Sequence, residues 1–98
     1  MPKYDCDMGD PLDMLVEECA EVIQAAMKAR RFGLNGAPGY AGIKPREEIV
    51  KEIGDVLACI ELMQFGVGSV FLYASELEEA KQAKLAKIRE YFRQPETL

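Results

Sequence analysis

Two short acidic patterns hold the residues best suited to chemistry: Glu17-Glu18-Cys19-Ala20-Glu21 and Glu52-Ile53-Gly54-Asp55. Residues three apart on a helix differ by roughly 60° in azimuth and 4.5 Å in rise, so Glu18/Glu21 and Glu52/Asp55 form two same-face pairs. Neither pair borders clean solvent. Glu52 lies between Val56 and Cys59, Asp55 shares its side with Cys59 and Leu62, and Glu18 is flanked by Met14, Val22 and Ala25. Carboxylates brought together repel, and each raises its neighbours' pKa unless a cation neutralises them. Oxygen-only donors suit Mg²⁺ or Mn²⁺ over zinc or copper, and Mg²⁺ held this way keeps waters and accepts phosphate oxygens. The pattern points to a divalent-metal site for a phosphorylated ligand; an ordinary solvated helix face would show the same spacings.

Absences narrow the chemistry further. The chain has no histidine, which excludes Ser-His-Asp and Cys-His catalysis, His-ligated zinc and the Glu-x-x-His di-iron bundle. Cys6, Cys19 and Cys59 are odd in number and lack CxxC spacing, so neither a disulfide framework nor a zinc knuckle is indicated. The N-terminus shows no signal-peptide apolar region, and a reducing cytoplasm is the expected compartment. With 17 acidic against 12 basic residues the net charge is −5, which argues against binding a nucleic-acid backbone. Val56 to Ala74 is mostly apolar but carries Glu61, Gln64, Gly66 and Gly68, so no membrane span is expected.

The elements that must position the carboxylates are helices. Ninety-eight residues make one domain, expected over 11–98 behind a polar arm at residues 1–10. Asp10-Pro11 reads as an N-cap and a first-turn proline. Leu15, Val16, Cys19, Val22, Ile23, Ala26 and Met27 then repeat at a helical period up to Phe32, where Gly33 stops the run. Gly33, Gly36, Pro38, Gly39 and Gly42 make residues 33–44 a loop. Pro45 opens a second helix with a stripe of Ile49, Ile53, Val56, Ile60 and Met63, ending near Phe65-Gly66. Val67 to Ala74 is open between loop, short helix and continuation. Ser75 and Glu78 read as a capping box for a third helix from Glu76 to about Phe92. The expected fold is all-α: an antiparallel helical hairpin plus a C-terminal helix, three or four helices in all, assembled into an oligomeric bundle. In such a hairpin the two acidic pairs differ in depth by about one turn, some 6 Å, which the long loop can absorb.

Around these residues the chain resembles the MazG-like all-α nucleoside triphosphate pyrophosphohydrolases, whose signature is EExxE on one helix and ExxD on the next. Here those are Glu17, Glu18 and Glu21, then Glu52 and Asp55, within EECAEVIQAAMKARRFG and EIGDVLACIELM. The likeness covers roughly residues 11–65. It implies Mg²⁺ (or Mn²⁺) bound by Glu18, Glu21, Glu52 and Asp55. It also implies hydrolysis of a nucleoside triphosphate between the α and β phosphates, and a homodimer or homotetramer. Two features depart from the family pattern. The 30 residues between Glu21 and Glu52 slightly exceed the usual gap, and Ile88 stands where many members carry an asparagine four residues after the lysine matched by Lys84.

Glu21 or Glu18 would serve as the base that orients or deprotonates water, with Glu17 facing elsewhere. Lys81 and Lys84 lie on or beside the third helix's apolar stripe of Leu77, Leu85, Ile88 and Phe92. Lysines there either contact phosphate, from the same or a neighbouring subunit, or snorkel past the core. Lys28, Arg30 and Arg31 suit the helix dipole, while Asn35 and Tyr40 are loop candidates for recognising a base. Cys19 and Cys59 are expected as small apolar core residues, and Met63, Phe65 and Phe92 as core or interface. Two competing functions remain: phosphoribosyl-ATP pyrophosphohydrolase, which breaks an equivalent bond, and a non-catalytic helical protein whose acidic face docks a basic partner.

Overall fold

A computed structural model of the chain describes residues 7–36 and 42–92; most of the expected N-terminal arm, Cys6 and Tyr40 lie outside those residues. The described chain is all-helical, with α1 at Pro11–Phe32, α2 at Pro45–Gln64 and α3 at Ala74–Arg89.

Local chemistry sets the ends of α1. Asp10 is extended, and its Oδ1 accepts a hydrogen bond from the Leu12 N–H at 3.0 Å, while Pro11 fills a position that needs no donor. At the other end the Gly33 N–H donates to the Ala29 carbonyl at 2.7 Å, with φ +84 that a residue bearing a Cβ would adopt only under strain. The second helix begins at Pro45 with Glu47 and Glu48 complementing the positive end of its dipole. It closes where the Phe65 N–H reaches the carbonyls of Glu61 and Leu62.

The segment left open by the sequence, after Phe65, is a non-helical connection. Val67 N–H donates to the Leu62 carbonyl and Leu72 N–H to the Met63 carbonyl, so the chain folds back over the end of α2. Gly68 sits at φ +85, where a Cβ would fall 2.5 Å from Pro11 Cδ and 2.6 Å from Asp10 Oδ1. Asp10 Oδ2 also accepts from the Ser69 N–H at 3.2 Å, so one carboxylate both caps α1 and ties down the α2–α3 connection.

The third helix departs from the sequence reading at both ends. Its N-terminal contact is Glu76 accepting from the Tyr73 N–H at 3.2 Å, not the expected Ser75/Glu78 box. Glu78 instead pairs with Lys81 at 2.9 Å and accepts from Gln82 at 2.8 Å. The helix ends at Arg89 and not Phe92, because the Tyr91 and Phe92 N–H groups bond three residues back and tighten the chain out of the α-helical pattern.

Helices α1 and α2 pack antiparallel, with Lys28 beside Glu48 near the loop and Glu18 beside Asp55 further along. Their seam buries Ala25 (0% exposed), Ala29, Cys59 and Met63 (1% exposed). Alanine at two positions of α1 brings the backbones close, and Met63 fills the remaining gap. The apolar stripe on α1 divides in two. Leu15, Val22 and Ala26 are half-buried, whereas Val16, Ile23 and Met27 remain exposed. Cys59 is buried as expected, but Cys19 is exposed because it falls outside the seam. Ile53 is likewise exposed, as are Phe65 and Phe92. No residue of α3 is buried. The molecule measures 47 × 39 × 15 Å with a radius of gyration of 16.7 Å, against about 13 Å for a compact domain of this length. Its thickness is that of one helix layer, where a stable core ordinarily needs two.

Candidate metal centre

The α1–α2 seam brings Glu18, Glu52 and Asp55 together: one carboxylate oxygen from each lies within 4.8 Å of the others. Two helices build this group, each by spacing alone. Glu52 and Asp55, three residues apart, rise from the inner side of α2, and Glu18 comes from the facing line of α1. Burial differs across the group. Glu52 is buried (7% exposed), while Glu18 and Asp55 are half-buried.

Glu21 does not join them. Three residues carry Glu21 about 4.5 Å further along α1 than Glu18. It is exposed, on the same side of the hairpin, and Glu17 is exposed further round.

The electrostatics follow from this crowding. Desolvation pushes the Glu18 carboxyl above its ordinary pKa, the negative charges of Asp55 and Glu52 and a hydrogen bond with Asp55 push it further, and Lys51 opposes them. The Lys51 ammonium lies 3.0 Å from Asp55 Oδ2 and 3.3 Å from Glu52 Oε1. Those two contacts hold the Lys51 pKa above its ordinary value. The Cys59 thiol is also pushed up, first by burial and then by the nearby charges of Glu18 and Asp55.

Lys51 is the residue that sequence reasoning missed. The available signal was its four-residue spacing to Asp55; the contact with its immediate neighbour Glu52 has no helical-face rule to announce it. The lysines singled out beforehand lie elsewhere. Lys81 on α3 is exposed and paired with Glu78, and Lys84 is exposed on a helix that packs little against the hairpin. Lys28 bridges to Glu48 at 3.2 Å, across the seam and on the carboxylate side. Arg30 and Arg31 end α1, and Asn35 is exposed in the described part of the loop.

The donor set fits a hard divalent cation. It is oxygen-only, drawn from two rigid helices, and carries three negative charges against the single ammonium of Lys51. Among the described residues no helix is long and apolar enough to cross a membrane. Compared with known proteins, the chain matches no family model, no curated protein and no solved structure.

Proposed function

We propose that this chain is a Mg²⁺-dependent nucleoside triphosphate pyrophosphohydrolase of the MazG-like kind, releasing pyrophosphate from a ribo- or deoxyribonucleoside triphosphate. The observation that carries the reading is the convergence of Glu18, Glu52 and Asp55, three residues of the EExxE and ExxD patterns, within 4.8 Å across one helical seam. A solvated acidic face would scatter these oxygens and leave Glu52 exposed; here Glu52 is buried.

In this reading Glu18, Glu52 and Asp55 hold the metal, and Mn²⁺ would satisfy the same oxygens. When bound, Mg²⁺ would neutralise phosphate charge and draw electron density from the phosphorus that water attacks. Glu21 is exposed on the carboxylate side of the hairpin, free of that cluster, and is placed as the residue that completes the ligand set or orients the attacking water. Glu18 is the other candidate for the base, through a carboxylate oxygen not taken by the metal. Lys84 and Lys81 are assigned phosphate contacts supplied from a neighbouring subunit, because α3 of their own chain stands apart from the hairpin.

A homodimer or homotetramer accompanies this proposal. Leu12, Val16, Ile23 and Met27 of α1 and Val50, Ile53 and Leu57 of α2 are all exposed. Helical rotation places them together on the side of the hairpin opposite the carboxylates. A second copy laid on that face supplies the missing layer and leaves each carboxylate group open to nucleotide. The free thiols of Cys19 and Cys59 agree with a reducing, cytoplasmic setting.

The test is a substrate panel of ribo- and deoxyribonucleoside triphosphates beside phosphoribosyl-ATP, each with Mg²⁺ or with chelator, scored for pyrophosphate. Release from a triphosphate that stops with chelator is the expected result. Release from phosphoribosyl-ATP alone would transfer the protein to that reaction, and no release from any member would overturn the assignment.

A further inference from the structure

Lys51 makes both of its contacts with carboxylates that the metal reading needs. Its Nζ lies 3.0 Å from Asp55 Oδ2 and 3.3 Å from Glu52 Oε1, bridging the two from one exposed stem. Neither contact is the kind of pair that helices use for their own support. The i,i+4 pair runs Lys51 to Asp55, the weaker orientation, and adjacent residues do not face each other, so the side chain must bend back to reach Glu52. Glu52 is 7% exposed, and a carboxylate so buried requires a cation or donors. Among the described residues Lys51 is the side-chain partner that Glu52 has, yet its own side chain is 59% exposed, so it can leave for water at little cost.

We propose that Lys51 is a tethered counter-ion that holds Glu52 and Asp55 in place in the metal-free protein and is displaced when a divalent ion enters. The inference rests on the metal-site reading and deepens it. Three carboxylates bear three negative charges, of which the ammonium cancels one and a divalent ion two, so the ion is the stronger partner for the same oxygens. Metal affinity is then a difference: the attraction of the cluster less the cost of expelling Lys51. A flexible lysine does this better than arginine, whose fork would bind a carboxylate through two bonds and be harder to expel.

The experiment is calorimetric titration of Mn²⁺ into wild type, Lys51→Met, Lys51→Arg and the Glu52→Gln/Asp55→Asn double variant, with melting recorded with and without Mn²⁺. Lys51→Met is expected to bind Mn²⁺ about three- to tenfold more tightly, the scale of losing one exposed and one part-buried ion pair as competitors. It is expected to melt lower than wild type without Mn²⁺ and to recover with it. Lys51→Arg keeps the competing charge and should bind no more tightly than wild type. Equal or weaker Mn²⁺ binding by Lys51→Met, with the double variant silent, would overturn the role of Lys51 and leave the metal site standing. Binding by the double variant equal to wild type, or no binding by any of the four proteins, would overturn both.

Discussion

Glu18 is held against burial and against the charges of Glu52 and Asp55, so its carboxyl titrates above the ordinary carboxylate value of about 4.3. The sign of its effect on stability follows. A carboxyl whose folded pKa is raised favours folding below its unfolded pKa, and that benefit is lost as pH rises through the folded value. In chelator, Glu18→Gln should therefore melt above wild type at pH 7, with the two converging as pH falls below about 4. With Mg²⁺ the order should reverse at pH 7, because the variant lacks a ligand. Thermal melts across pH, in chelator and in metal, read both halves, and a variant that melts below wild type in chelator at pH 7 would contradict the electrostatic account. At this scale the sequence disclosed most of the group. The spacing of Glu52 and Asp55 already put them on one face, and Glu18 was visible beside its apolar neighbours. Glu21 was expected beside them, and the structure leaves it outside, exposed further along α1, although its step from Glu18 matches the one from Glu52 to Asp55. The pairing of Lys51 with Asp55 was open to spacing, but its reach to Glu52 was not, since that depends on the field of the assembled cluster.

The helices stand where their terminal residues direct. Asp10-Pro11, Gly33 and Pro45 mark ends that the structure retains, because caps and prolines act through contacts a few residues away. The third helix was harder to delimit. Two acidic residues compete for its N-terminal N–H groups, and Glu76 wins by reaching Tyr73 while Glu78 is engaged by Lys81 and Gln82. No local pattern announces the contact of Asp10 with Ser69, which joins residues 59 positions apart. That contact makes two variants informative. Asp10→Ala removes a helix cap together with the tie to the α2–α3 connection, and should cost about 1–2 kcal/mol, seen as a melting temperature lower by roughly 4–8 °C per kcal/mol. Gly68→Ala places a Cβ against Pro11 and Asp10 at positive φ, and should cost more than about 1 kcal/mol. An unchanged melting temperature in either variant would mean that this junction does not hold the hairpin closed. Both should leave the carboxylate group intact, so any residual activity should survive at temperatures where the fold does.

A molecule one helix layer thick, with an apolar row on one side and carboxylates on the other, keeps its exposed apolar surface and its acidic cluster on opposite faces. The helical periodicity marked the apolar stripes of α1 and α2, but not how that surface would be divided between the seam and the outside. The division depends on the crossing of the two helices, which places Ala25 and Ala29 inward and Ile23 and Met27 outward. Ile23→Glu with Leu57→Lys should shift the sedimentation of the protein to that of a monomer, whereas an unchanged assembly would place the subunit interface elsewhere. The central claim is that the carboxylates of the seam perform the hydrolysis, and its most direct measurement is a phosphorus NMR progress curve on the preferred triphosphate. Wild type with Mg²⁺ should yield monophosphate and pyrophosphate, and the Glu52→Gln/Asp55→Asn variant should be slower by about 100-fold or more, a loss typical of removing electrostatic support from a transition state. Turnover by the folded double variant at the wild-type rate, or cleavage to diphosphate and inorganic phosphate, would contradict it.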